Sequence, residues 1–198
     1  MTYRGHLVGG AASAIAVCYA VGAQGPVAIG ATGVALFASL LPDIDHSGSW
    51  LGRRLLPLHY LLRWLLSNPL TWMAFGRKRI KQLAQHRGFT HTLLAMGIMM
   101  VLFGSLVYLL LELAIDSGYP INWFLGDGTA LSFGGRLGAH MQSTLVLTLA
   151  FVLGYASHIL LDMMTVAGVQ VMMPWSTRKY HLLPKMLRVR VRGANTHT

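Results

Sequence analysis

Residues 92–111 read TLLAMGIMMVLFGSLVYLLL, and residues 141–161 read MQSTLVLTLAFVLGYASHILL. The first stretch carries no charged side chain, and the second holds only His158 as an ionisable group. A helix rises 1.5 Å per residue, so roughly 20 apolar residues cross a hydrocarbon core about 30 Å thick. Both stretches therefore read as membrane spans, and these two segments decide the fold class.

Outward from them, the chain between Leu7 and Pro42 also lacks charge and is broken by the turn signal Gln24-Gly25-Pro26. It reads as a hairpin of two shorter spans over residues 7–22 and 26–41, with the longer ones over 92–112 and 141–161. The expected architecture is an all-α integral membrane protein of about four transmembrane helices, with interfacial helices on the cytoplasmic side, forming one domain over residues 1–198. Composition agrees. The chain is 54% hydrophobic and 11% charged, whereas a soluble domain carries about a quarter charged residues. No small-residue cleavage site follows the first apolar core, so that core is expected to stay in place.

Sixteen Lys and Arg face six Asp and Glu, a net charge of +10. Of the sixteen, fifteen precede Leu7, lie between Pro42 and Thr92, or follow Asp162, while the segment from Glu112 to His140 holds only Arg136. The positive-inside rule places both termini and the long loop in the cytoplasm of a bacterial inner membrane. In loop 43–90, leucines alternate with Arg53, Arg54 and Arg63, which suggests an interfacial helix anchored by Trp64 and Trp72. Arg77, Lys78, Arg79 and Lys81 suit anionic membrane lipids, and a basic tail covers residues 176–198. Specific nucleic-acid binding is not expected, because topology already accounts for the charge asymmetry.

Three clusters carry chemistry: Leu41-Pro42-Asp43-Ile44-Asp45-His46, His86-Arg87-Gly88-Phe89-Thr90-His91, and His158-Ile159-Leu160-Leu161-Asp162. His6 stands alone near the start. Entry points of odd-numbered spans and exit points of even-numbered spans share one face, so all four places meet on the same side of the membrane. His158 and Asp162 are four apart on a helix and stack on one face. Asp43 and Asp45, two apart past Pro42, would point the same way in extended backbone. A turn at Gly88, with Thr90 near the helix N-cap, would bring His86 from the loop and His91 from the first helical turn. The single cysteine, Cys18, lies in an apolar run and supports neither a disulfide nor a thiolate cage. The metal donors are then His6, Asp43, Asp45, His86, His91, His158 and Asp162.

Such a set exceeds the needs of one tetrahedral ion and suits two or three divalent ions, zinc foremost, with manganese or iron as alternatives. Divalent ions lower the pKa of a bound water and steady charge on a phosphoryl or carbonyl oxygen, which is the chemistry of hydrolysis. Asp43 and Asp45 would assist proton transfer, and Arg87 at a helix start would hold an anionic group. Blander readings stand beside this one. His6 could be an interfacial polar residue, the two aspartates a cap at a span exit, and His158 with Asp162 a buried hydrogen-bonded pair. A metal transporter or a metal-stapled interaction protein would use the same residue types.

With these segments in this order, the chain resembles the YdjM-like family of bacterial membrane-bound metal-dependent hydrolases. The resemblance runs from Gly5-His6 through the three clusters, takes in Gly154-Tyr155-Ala156-Ser157, and continues through Thr165 and Gly168 to Pro174-Trp175. That family is distantly similar to zinc-dependent phospholipase C and related nucleases. The analogy implies metal roles for His6, Asp43 or Asp45, His86, His91, His158 and Asp162, and hydrolysis of a lipid or lipid-linked phosphodiester.

Overall fold

The computed structural model describes residues 2–45, 49–54, 60, 89–117 and 133–190. Among them the regular elements are all helical, with two isolated bridges, Thr165 to Val189 and Val169 to Tyr180. Helix α1 covers Tyr3–Val21, α2 Gly25–Ala38, the short α3 Trp50–Arg54, α4 Leu93–Asp116 and α5 Phe133–Met163. Single 3₁₀ turns cover Leu41–Asp45, Phe89–His91 and Lys185–Leu187.

The turn between α1 and α2 forms where Gln24-Gly25-Pro26 predicts it. Gly22 caps α1 in the left-handed region at φ 66°, and its N–H reaches the Cys18 and Tyr19 carbonyls. Pro26 then enters α2 in its first turn, where a missing N–H costs nothing. The hairpin packs on α5, which also carries α4 on another side, so α5 is the central helix.

Two helices, α4 and the Met141–Met163 part of α5, are long and apolar enough to cross a bilayer, rather than the four expected. The reason lies in the hairpin. Helix α2 has 14 residues, or about 21 Å of rise, short of the ~30 Å core. Helix α1 has 19 residues but spends its first turns on Arg4 and His6 and much of its remainder on Gly, Ala and Ser. The segment expected as a loop between the long spans is also shorter, since α4 continues to Asp116 and α5 is already helical from Phe133.

Burial separates the two long helices. Only 11% of the most apolar window of α4 is buried against 44% for α5, so Leu102, Leu106, Leu109 and Leu113 of α4 face outward, where the bilayer would meet them. Lipid tails are as apolar as leucine, so close packing and hydrogen bonds hold such helices together. Small residues supply the packing here. Ala14, Ala31, Ala35 and Ala150 are buried between α1, α2 and α5. A methyl at Gly154 would press on the Ala35 backbone, with Ala35 Cα 2.9 Å away, which shows how closely α2 and α5 approach. Gly9 and Gly10 of α1 likewise serve contacts within the chain, to Ser157 and Leu161 on α5 and to Ser39 beyond α2.

After α5 the chain folds back over the end of the bundle. Leu182 N–H donates to the Met163 carbonyl at 3.0 Å and Val189 N–H to the Met164 carbonyl at 3.0 Å. Leu93 N–H, at the start of α4, donates to the Val171 carbonyl at 2.9 Å. Val169 and Val171 join Phe151, Tyr155 and Ile159 in one apolar cluster, so residues up to 190 of the expected basic tail are folded against the ends of the long helices.

Candidate metal centre

Five of the candidate donors converge at one end of the bundle. His6 comes from the first turns of α1, Asp43 from the 3₁₀ turn after α2, and His91 from the 3₁₀ turn before α4. His158 and Asp162 come from the last turns of α5. His86, His46 and Arg87 lie outside the described residues, as do Trp64, Trp72 and the Arg77–Lys81 stretch. Of Asp45 only the backbone is described. That backbone is 3₁₀ rather than extended, and three residues per turn separate positions i and i+2 instead of aligning them. Asp43 is placed at the centre, and the side chain of Asp45 lies outside what is described.

The N-cap also differs from expectation. Thr92 caps α4, its hydroxyl accepting from the Ala95 N–H at 3.0 Å, and His91 immediately precedes it at the end of the 3₁₀ segment. Thr90 does different work. Its hydroxyl donates to the Pro42 carbonyl at 2.7 Å and lies 3.3 Å from His91 Nδ1. The Tyr155 hydroxyl donates to the Thr90 carbonyl.

These contacts set the tautomers. His158 Nδ1 lies 2.7 Å from the Ser39 carbonyl, which can only accept, so Nδ1 carries the proton and Nε2 of the neutral ring presents a lone pair. Thr90 has one hydroxyl proton and gives it to Pro42, so it accepts from His91 Nδ1–H, and His91 Nε2 is likewise a lone pair in the neutral ring. The two Nε2 atoms lie 3.2 Å apart. Facing lone pairs at that distance repel unless a proton or a cation lies between them.

Two carboxylates close the same space. His91 Nε2 is 3.5 Å from Asp162 Oδ2 and 3.8 Å from Asp43 Oδ1. His158 Nε2 is 3.5 Å from Asp43 Oδ1 and 3.8 Å from Asp162 Oδ2. Zinc bonds to nitrogen and oxygen of roughly 2.0–2.2 Å imply a tetrahedral edge of about 3.3–3.5 Å. Five contacts of 3.2 to 3.8 Å among two imidazole nitrogens and two carboxylate oxygens lie near that requirement, and His91, His158 and Asp162 form one group of mutually close donors. Such a donor set fits a divalent ion, and two carboxylate charges balance it.

His6 lies on the other side of Asp162. Its ring stacks on His158, centroids 3.6 Å apart and planes within 12°, and its Nε2 is 3.8 Å from Asp162 Oδ1. Both His6 ring nitrogens are buried without a hydrogen-bond partner among the described residues, an arrangement that costs free energy unless something else binds there. His6, Asp43 and His158 form a second group of close donors, so a second ion could share this end of the bundle.

Exposure is uneven. The side chains of His6, His91, His158 and Asp162 are at most 1% exposed, whereas that of Asp43 is 18% exposed. Burial alone would raise the Asp43 carboxyl, but its imidazole neighbours, His158 first and then His91 and His6, hold it below the ordinary carboxylate range. Asp43 therefore stays ionised, and among the described donors it is the one that meets solvent.

The supporting groups were hard to see in sequence. Thr90 lies inside the His86–His91 motif, where it is expected near the N-cap, and Tyr155 one turn before His158, so their positions hint at proximity but not at these contacts. Ser39 contributes only a backbone carbonyl, one of those left unpaired at the end of α2, and no residue pattern marks it.

No solved structure matches the chain. Residues 1–193 match the family model described as YdjM inner membrane protein. The chain is 35% identical over 153 residues to inner membrane protein YdjM of Escherichia coli (strain K12), covering 76% of this chain and 54% of that protein. The Shigella flexneri protein of the same name matches to the same extent. The uncharacterized protein YvsG of Bacillus subtilis (strain 168) is 26% identical over 178 residues, 90% of this chain and 76% of its own. The chain thus spans about half the length of the YdjM relatives it matches. With its family model matched over nearly the whole chain, and with helices fit to cross a bilayer, this protein belongs to the YdjM inner membrane protein family.

Proposed function

We propose that this protein is a metal-dependent hydrolase of the inner membrane, acting on a lipid or lipid-linked ester, a phosphodiester foremost, at the cytoplasmic face. One observation carries this reading: four buried donors are joined by a fifth, Asp43, that is partly open to solvent. A centre serving only to hold helices together needs no such opening. His91, His158 and Asp162 would hold zinc or a similar divalent ion, with Asp43 at its open edge and His6 toward a second. A bound divalent ion supplies Lewis acidity and a more acidic water. Asp43 is the group placed to take a proton from an incoming water, and the buried donors exclude bulk water from the other sides. Arg87, outside the described residues, is assigned the anionic headgroup. Both termini are placed in the cytoplasm on the charge asymmetry alone.

A second reading is favoured by the near-closure of the four-donor set, since structural zinc sites are closed and four-coordinate. Elemental analysis of detergent-purified protein, wild type beside Asp162→Ala, tests the metal. One or more transition-metal ions per chain, lost in the variant, are expected. Hydrolysis of phosphodiester and acyl lipids by the loaded wild type then separates the readings. Stoichiometric metal without turnover on either ester class would leave the structural role. Metal-free wild type, even after reconstitution, would refute both.

A further inference from the structure

Beyond the metal centre, the segment after α5 forms an unusual surface. It is tied to the ends of both long helices, through Leu93 N–H to the Val171 carbonyl and through Leu182 and Val189 N–H to the Met163 and Met164 carbonyls. In a protein whose α4 and α5 cross a bilayer, a segment fastened to both helix ends lies at the boundary between hydrocarbon and water. Yet it turns large apolar side chains outward. Met186 is 98% exposed, Trp175 70% and Leu187 65%. Exposed basic residues adjoin them, Arg178, Lys179 and Lys185, and no Asp or Glu follows Asp162 anywhere in the chain.

We infer that residues 175–190 are a membrane-docking element, in which Trp175, Met186 and Leu187 enter the lipid boundary while Arg178, Lys179 and Lys185 bind the phosphates of anionic phospholipids in the same bilayer. Three arguments meet here. Aromatic and aliphatic side chains next to Lys and Arg are the composition of interfacial segments. The charge is of one sign, complementary to an anionic leaflet. The surface is continuous with the helices that cross the membrane, so the occupant is the bilayer itself. The element would hold the open edge of the neighbouring donor cluster at headgroup depth. This inference rests on the chain spanning a membrane and is independent of hydrolysis.

The test uses the full chain in lipid nanodiscs, carrying Cys18→Ala and Met186→Cys labelled with an environment-sensitive fluorophore. Discs of phosphatidylcholine alone are compared with discs that also contain phosphatidylglycerol. The expected result is blue-shifted emission and quenching by nitroxide-labelled lipid, both increasing with phosphatidylglycerol. Arg178→Gln, Lys179→Gln and Lys185→Gln combined should remove that increase. Because the label could disturb the turn, quenching by brominated lipid is also measured on native tryptophan, and the part lost in Trp175→Phe should show the same lipid dependence. A label and a Trp175 signal quenched from water but not from lipid would overturn the inference. So would lipid quenching indifferent to phosphatidylglycerol, or a label that responds only to added RNA.

Discussion

Replacing Thr90 with valine tests the centre without touching a donor. The side chains have similar shape, and the change removes the hydroxyl that donates to the Pro42 carbonyl at 2.7 Å and faces His91 Nδ1 at 3.3 Å. Two effects follow, and they are separable. The buried Pro42 carbonyl loses a donor, which costs about 1–3 kcal/mol of stability whether or not metal is present. His91 loses the acceptor that fixes its tautomer, and loss of such a partner typically lowers metal affinity by roughly 10- to 100-fold. At about 1.4 kcal/mol per decade, that is about 1.4–2.8 kcal/mol of binding. Competition between the purified protein and a fluorescent zinc chelator reads the second effect, and thermal denaturation of chelator-treated protein reads the first. Thr90→Ser, which keeps the hydroxyl, should restore both. If Thr90→Val lowers the stability of the metal-free protein yet binds zinc as tightly as wild type, the tautomer argument is refuted.

Chelation should lower the melting temperature of wild-type protein, because a ligand that binds only the folded state at 100 times its Kd adds about 2.7 kcal/mol; Asp162→Ala should show no such shift, and an equal shift in both would point to metal bound elsewhere. Gly154→Ala should destabilise the bundle by about 1–3 kcal/mol through overpacking against the Ala35 backbone, read as loss of folded protein on heating in detergent. Gly33→Ala, whose methyl would meet nothing within 4 Å, should instead be neutral or gain about 0.5–1 kcal/mol from helix propensity.

Much of this protein is legible in its sequence, and the parts that are not share a cause. The two long spans follow from local composition, since crossing a bilayer asks only for an uncharged run of sufficient length. The gathering of His6, Asp43, His91, His158 and Asp162 at one end follows from counting helix reversals, which needs no distances. The span count went astray at α2, whose 14 residues fall short of a crossing. The helix is apolar throughout and buries Ala31, Ala35 and Ala38, but it ends at Ala38, so length alone keeps it from crossing. The expectation that Asp43 and Asp45 point the same way rested on extended backbone, whereas the chain there is a 3₁₀ turn.

By itself, then, the sequence determined an all-helical membrane protein with its imidazoles and carboxylates on one face, because periodicity, hydrophobicity and charge bias act along the chain. Only the tertiary structure decided which donors meet within 3.2 to 3.8 Å, that Ser39 and Thr90 orient His158 and His91, and that Asp43 is the exposed member. Those outcomes depend on backbone carbonyls and close helix approach between residues as far apart as Ser39 and His158, and no local pattern encodes such contacts.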